Sequence, residues 1–269
     1  MNPIHDHNRA AWDARVKEGQ RFTRPSTDDE MSRPLEILDP LGWLGGEVAD
    51  QRILCLGAGG GRHGPMLASA GARVTVVDIS PEMLRLDDEL AEARGLQVET
   101  VATSIDDLSM LPAAEYDAVM QPVSTCYVPD IRIAYRELAR VMKAGGVYIS
   151  RHKQPTSLQM DLAPGPNGFV IEEPYFLDGP LSPAKRSGPH REQGTMEFLH
   201  RWGDLIGGLC EAGFVIEAVT EPKFGDASAA PGSFEYRGHF IAPYIQLRAR
   251  RTEQPAAADK LWVPEALGS

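Results

Sequence analysis

The glycine run Gly57-Ala58-Gly59-Gly60-Gly61, with Asp78 following 21 residues after Gly57, is the part of the sequence best suited to hold a reactive ligand. Glycines at the end of a strand let backbone N–H groups and a helix N-terminus approach an anionic or carboxylate-bearing group where a Cβ would clash. A carboxylate closing the next strand can accept both hydroxyls of a ribose, so loop and acid together form a cradle for an adenosine-containing ligand. The letters satisfy two patterns. One is GxGxG from Gly57 to Gly61; the other is GxGxxG at Gly59, Gly61 and Gly64, the dinucleotide fingerprint, which predicts a NAD-dependent oxidoreductase. Asp78 serves either. Gly57 is the residue that leaves the run Ile53-Leu54-Cys55-Leu56, so the first pattern sets the turn where the strand ends, whereas the second leaves Gly57 and Ala58 as extra loop.

Side chains that could move protons lie farther along. Open α/β sheets bind ligands at the C-terminal ends of their strands. Ser124-Thr125-Cys126-Tyr127 and Arg151-His152-Lys153 both follow apolar runs of that kind. His152 is the first candidate for a base, because an imidazole with an ordinary pKa of about 6.5 exchanges protons near neutrality; the alternative is a loop histidine bonded to backbone. Tyr127 can orient or deprotonate a bound molecule, or serve only as pocket wall. On a helical period His200 falls opposite the stripe of Phe198, Trp202, Leu205 and Leu209, which points it at solvent or a lid. His63 reads as a helix-terminal residue.

The elements that must position these groups alternate in type. Ile53–Leu56 and the β-branched run Arg73-Val74-Thr75-Val76-Val77-Asp78 read as the first two buried strands, with a helix between them running to Gly71. Ser80 and Pro81 suit an N-cap and first helical position, and Gly95 a C-cap. Val98 to Thr103, Tyr116 to Met120 and Val147 to Ser150 follow as strands; a helix capped by Asp130 lies between the last two and ends at Gly145-Gly146. This βα alternation predicts a mostly parallel sheet. From 151 to 194 seven prolines and no sustained period indicate a loop-rich insertion. Helical spacing returns at Thr195, before strands at Phe214 to Val219 and His239 to Arg250, the latter an edge or bulged strand because of Pro243.

Two stretches, Asp78-Ile79-Ser80-Pro81-Glu82-Met83-Leu84 and Arg136-Glu137-Leu138-Ala139-Arg140-Val141-Met142-Lys143-Ala144-Gly145-Gly146, resemble the corresponding parts of class I S-adenosylmethionine-dependent methyltransferases. The resemblance covers residues 53 to 150 and, weakly, the final strands. It implies an α/β fold: a Rossmann-like, mostly parallel seven-stranded sheet with helices on both faces and a loop-rich lid. It also implies S-adenosylmethionine as cofactor and methyl transfer to a small-molecule acceptor, a metabolite or natural product. Residues matching Gly57, Ala58, Gly59 and Gly61 would line the methionine and ribose, Asp78 would bind the ribose hydroxyls, and Ile79 with Met83 would pack on adenine. Ser104, Ile105 and Asp106 stand where the family carries an acidic-small pair for the adenine amine, a departure from its pattern. Gln121 and Pro122 would lie near the sulfonium, and Arg62 could pair with the donor's carboxylate. Residues 1–50 would then be a helical cover, 51–150 the cofactor-binding core, 151–194 a substrate lid, 195–250 the closing helix and strands, and 251–269 a tail.

Composition narrows the partners. A formal charge of −11 with no segregated basic cluster disfavours nucleic acid. No apolar run reaches the roughly 20 residues of a membrane span, and the N-terminus lacks the features of a signal peptide. Three cysteines, Cys55, Cys126 and Cys210, without CxxC spacing argue against a zinc site or disulfide framework and for a reducing, cytoplasmic compartment. The oligomeric state is open, a homodimer among the options.

Overall fold

The computed structural model describes residues 2–161, 163–166, 168–185 and 188–253. Trp262 and the rest of the expected tail from 254 onward lie outside them. The N-terminal segment forms α1 (Pro3–Lys17), α2 (Asp28–Ser32) and α3 (Pro34–Leu38) before the chain enters β1 (Arg52–Leu56). Then come α4 (His63–Ser69), β2 (Arg73–Asp78), α5 (Pro81–Arg94), β3 (Val98–Ala102), β4 (Tyr116–Gln121), a single 3-10 turn Thr125–Tyr127, α6 (Ile131–Val141) and β5 (Met142–Lys153). The chain closes with α7 (Pro155–Leu158), a wide π turn Gly203–Gly207 running into α8 (Gly208–Glu211), β6 (Phe214–Thr220), α9 (Phe234–Phe240) and β7 (Tyr244–Arg251).

The seven strands form one sheet in the order β3-β2-β1-β4-β5-β7-β6. The first five strands pair in parallel, and β7 runs antiparallel to both β5 and β6. Alternation along β1 divides the core. Leu54 and Leu56 join Leu138, Tyr135 and Tyr148 on one face, while Ile53 and Cys55 join Leu67, Val74 and Val76 on the other. The caps form as the residues dictate: the Ser80 hydroxyl accepts from the Met83 N–H at 3.1 Å, and Gly95 ends α5 in the left-handed conformation.

Three expectations change. The strand expected from His239 is in fact α9 followed by β7, and β7 is interior rather than an edge; Pro243 sits just before it and so costs the ladder no hydrogen bond. The helix expected from Thr195 begins only at Trp202, because the Phe198 N–H bonds the Cys126 carbonyl (2.7 Å) and the Glu197 carbonyl accepts from Leu181 (2.7 Å), holding that segment extended. Gly145 and Gly146 do not end a helix but lie within β5, where the register with β4 shifts between Tyr116 and Ala118.

Candidate active site

The glycine turn folds back onto the second strand. Gly57 takes φ +60°, and its N–H donates to the Val77 carbonyl at 2.8 Å. A Cβ at Gly57 would lie 2.6 Å from Ser124, and one at Gly59 would lie 2.8 Å from the Met83 Cβ, so neither position has room for a side chain. The Asp78 carboxylate accepts from the Gly59 N–H (2.9 Å) and from the Ser80 N–H (3.0 Å). Burial nevertheless pushes its pKa up to about 6, outweighing those hydrogen bonds. Asp87 stands behind the loop, accepting from the Gly60 N–H at 2.8 Å, and burial pushes it up to about 7.

These groups open onto a cavity of about 610 Å³. Of the residues singled out in the sequence, its walls contain Gly57, Ala58, Gly59, Asp78, Ile79 and Met83 from the first two βα units. Ser104, Ile105, Gln121, Pro122 and Tyr127 join them from the ends of β3 and β4. Three others are placed elsewhere. Gly61 turns toward α5, where an added Cβ would meet the Leu86 carbonyl at 2.8 Å. Asp106 bonds the Ser104 hydroxyl and the His5 ring (3.2 Å), tying α1 to the rim without lining the space.

His152 is the third. Its ring is wholly buried and not part of the cavity wall; Nδ1 lies 2.9 Å from the Thr125 hydroxyl and Nε2 lies 2.7 Å from the Ser150 hydroxyl. Burial pulls its pKa down to about 3, with His200 adding to the effect. With both nitrogens engaged and its basicity suppressed, this imidazole is a packing and hydrogen-bonding group. His200 is buried as well, 2.9 Å from the Thr125 carbonyl, because the helix that would have exposed it starts two residues later. His63 opens α4 at the cavity wall. Burial, then the charges of Arg62 and Arg151, pull its pKa to about 4. Arg62 pairs with Glu30 of α2 at 2.6 Å.

Tyr127 is held on several sides. Its hydroxyl donates to Glu192 Oε2 at 2.7 Å, its ring meets Trp12 of α1 edge-on at 5.6 Å, and Lys153 Nζ lies 5.7 Å from the ring centroid. Lys153 is buried and donates to Glu192 at 2.6 Å and also to Glu197, which Arg191 pairs as well. Burial alone would lower the ammonium's pKa, but the two carboxylates more than offset it and hold Lys153 well above its ordinary value. Asn8 of α1 completes the closure: its amide donates to the Tyr127 carbonyl (3.0 Å) and accepts from the Met196 N–H (2.8 Å). Glu192 was not picked out from the sequence. The available signal was Lys153 at the end of an apolar strand, since a buried ammonium requires a buried acid.

The Asp78 oxygens have each taken one N–H and keep acceptor capacity for a ribose, so the cradle fits an adenosyl ligand. Comparison with known proteins decides which one. A family profile described as a methyltransferase domain matches residues 54–150. A Bacillus subtilis protein named as the uncharacterized methyltransferase YbaJ is 31% identical over 239 residues, 84% of this chain and 93% of that one. The chain belongs to the class I S-adenosylmethionine-dependent methyltransferases. A Xanthomonas axonopodis ubiquinone biosynthesis O-methyltransferase is 33% identical over 122 residues, 44% of this chain and 51% of its own length. Among solved structures, an S-adenosylmethionine-dependent methyltransferase from Mesorhizobium loti shares the fold at a TM-score of 0.60 and 24% identity, over 76% of this chain and 93% of that one. A geranyl diphosphate C-methyltransferase from Streptomyces coelicolor, solved with geranyl diphosphate and S-adenosyl-L-homocysteine, has a TM-score of 0.60 at 14% identity, over 94% of this chain and 99% of its own. Gly64, the third glycine of the competing dinucleotide pattern, packs inside α4, where an added Cβ would lie 2.4 Å from Val76. No helix among the described residues is long and apolar enough to cross a membrane.

Proposed function

We propose that this methyltransferase acts on a small molecule held in the same cavity as its donor. The observation that carries the reading is a single space of about 610 Å³ shared by the donor cradle and walls from elsewhere in the chain. The space that Gly57 and Asp78 line is also lined by Trp12 and Asn8 of α1, Pro189 and Glu192 of the loop, and Phe234 of α9, and a volume of that size suits a compact acceptor rather than a polymer. The charge of −11 argues the same way against nucleic acid.

S-adenosylmethionine supplies, when bound, a methyl group already activated by its sulfonium. The chain therefore has to align the acceptor, keep water out and accommodate the proton an acceptor hydroxyl or amine gives up. Gly57, Ala58 and Gly59 would hold the donor's methionine and ribose with Asp78, Ile79 and Met83 beside its adenosine, and Ser104 and Ile105 would border the adenine. Gln121, whose amide donates to Ser124 at 2.9 Å and accepts from Tyr148 at 2.6 Å, is fixed at the end of β4 beside Pro122. Tyr127 is the side chain we assign to orienting the acceptor. Its hydroxyl donates to a carboxylate that Lys153 keeps ionised, and burial, then the Glu192 charge, hold the phenol well above its ordinary pKa, so it stays protonated and fixed at the cavity wall. His152 supports this strand end through Ser150 and Thr125 and lies outside the cavity wall.

Incubating the protein with methyl-labelled S-adenosylmethionine and a fractionated cell extract tests the reading. Label should appear in the low-mass fraction and fall sharply in Tyr127→Phe while donor affinity holds. Label confined to protein or nucleic acid would overturn it.

A further inference from the structure

The charges lining the cavity do not balance. Its acids, among the described residues, are Asp78 and Glu192, and its arginines are Arg21, Arg24, Arg62 and Arg151. Asp78 takes two backbone N–H groups, Glu192 is committed to Lys153 and Tyr127, and Arg62 is committed to Glu30. No described carboxylate stands within ion-pair distance of Arg151. In a chain with 38 acidic and 27 basic residues, a cavity whose guanidinium groups outnumber its available acids is not a product of composition. The donor does not correct the imbalance, since S-adenosylmethionine carries a sulfonium and an ammonium against one carboxylate.

Of the cavity's arginines without a carboxylate partner, Arg151 is the one partly withdrawn from water. Arg21 and Arg24 are exposed, whereas Arg151 is half-buried and burial lowers its pKa. It sits near the end of β5, paired in register with Gln246 of β7. With the Gln246 amide turned so that its oxygen faces the guanidinium, it accepts from Arg151 Nε at 3.2 Å and from a terminal nitrogen at 2.6 Å. The guanidinium is thus oriented by a neutral group and its charge is left unanswered. β5 lies three strands from β2, about 14 Å away at the usual strand spacing of about 4.8 Å, which separates the Arg151 backbone from that of Asp78 across the sheet. Beside it, Phe224, Phe234 and Tyr244 form an aromatic wall, with ring centroids 5.6 Å (Phe224 to Tyr244), 5.8 Å (Phe224 to Phe234) and 6.2 Å (Phe234 to Tyr244) apart.

From this juxtaposition we infer that the acceptor is an aromatic carboxylate, its anionic group held by the Arg151 fork and its ring packed on Phe224, Phe234 and Tyr244. This rests on the small-molecule reading above. A planar guanidinium matches a carboxylate in two parallel hydrogen bonds, and such charge-assisted pairs are the strong ones in a partly desolvated site. The adjoining rings stack with a flat apolar body rather than with a hydrated polyol.

Calorimetry on protein saturated with S-adenosylhomocysteine tests the inference, with benzoate, 4-hydroxybenzoate and cinnamate compared against their methyl esters. At least one acid should bind about tenfold or more tightly than its ester, the scale of a lost charge-assisted bond. Arg151→Gln should abolish that preference while leaving S-adenosylhomocysteine affinity unchanged. Gln246→Leu, which keeps the charge but frees the guanidinium, should weaken acid binding by a smaller factor and guards against misfolding of the first variant. The inference fails if no acid outbinds its ester, or if benzyl phosphate outbinds benzoate by a similar margin. It also fails if Arg151→Gln weakens S-adenosylhomocysteine as much as the acids, which would make Arg151 the donor's anchor. Failure of wild-type protein to bind S-adenosylhomocysteine would remove the underlying methyltransferase reading itself, and is seen before any acid is added.

Discussion

On the donor side the cavity is lined by side-chain-free glycine backbone and one carboxylate, supplied by Gly57, Gly59 and Asp78 within two successive βα units. Much of the remaining wall, the acceptor side of the proposal, is side chains arriving separately from α1, β5, the 189–192 loop, α9 and β7. The first arrangement is local: the strand ends, the glycine turn and the acid follow one another in the chain, and their hydrogen bonds span about 20 residues. The second is assembled across the whole molecule, as in the Asn8 bond to Met196, 188 residues away. A cradle of backbone atoms serves one ligand whatever the acceptor, while side chains brought together by tertiary packing can be exchanged without rebuilding the sheet.

The sharpest way to break the acceptor side is Lys153→Met. It leaves Glu192 and Glu197 buried without their shared cation and should cost about 3–5 kcal/mol of stability by chemical denaturation; a loss under about 1 kcal/mol would mean the cluster is solvated. The donor side has its own weak point. Gly57→Ala places a Cβ 2.6 Å from Ser124 at a φ of +60°. Strain and overpacking together should cost about 2–4 kcal/mol, visible as loss of donor binding in calorimetry.

A pH titration separates the sides at smaller amplitude. Asp78 is raised from 3.8 to about 6 in the folded, donor-free protein, so as pH falls it protonates before its unfolded counterpart. Between those values the donor-free fold gains stability as pH drops and loses it as pH rises. Ribose hydroxyls need the ionised form, so donor affinity should fall as pH drops through about 6, by about tenfold one unit lower; a flat profile from pH 8 to 5 would contradict this. The smallest effect is expected from His152→Gln, about 1 kcal/mol of stability from the Thr125 and Ser150 hydroxyls. The pH profile of turnover should not move, and a displaced acidic limb would restore His152 as a base.

The contrast between the two sides also decides what sequence could reveal. Gly57, Gly59, Asp78, Ile79 and Met83 sit in elements whose period, caps and strand ends are written in adjacent residues, and each lines the cavity. Gly61 did not follow, because its backbone serves Asp87 on α5, a partner no local pattern specifies. His152 misled for a physical reason: a strand end alternates sides, and the same position that suggests a pocket histidine also fits one turned inward, where Thr125 and Ser150 satisfy both nitrogens. Glu192 lies in an irregular, proline-rich stretch with no period, so only the burial of Lys153 reveals it. The strand expected at His239 foundered on α9, whose Ser233 cap accepts from the Tyr236 N–H at 3.0 Å.

We assign the grip on the methyl donor to Asp78 and the glycine turn. Titration of S-adenosylhomocysteine into wild-type protein and Asp78→Ala at pH 8 tests it most directly. Wild type should bind, and the variant's affinity should be weaker by about 1–3 kcal/mol, the penalty for leaving two hydroxyls without their charged acceptor. Equal affinity in the two proteins would contradict it.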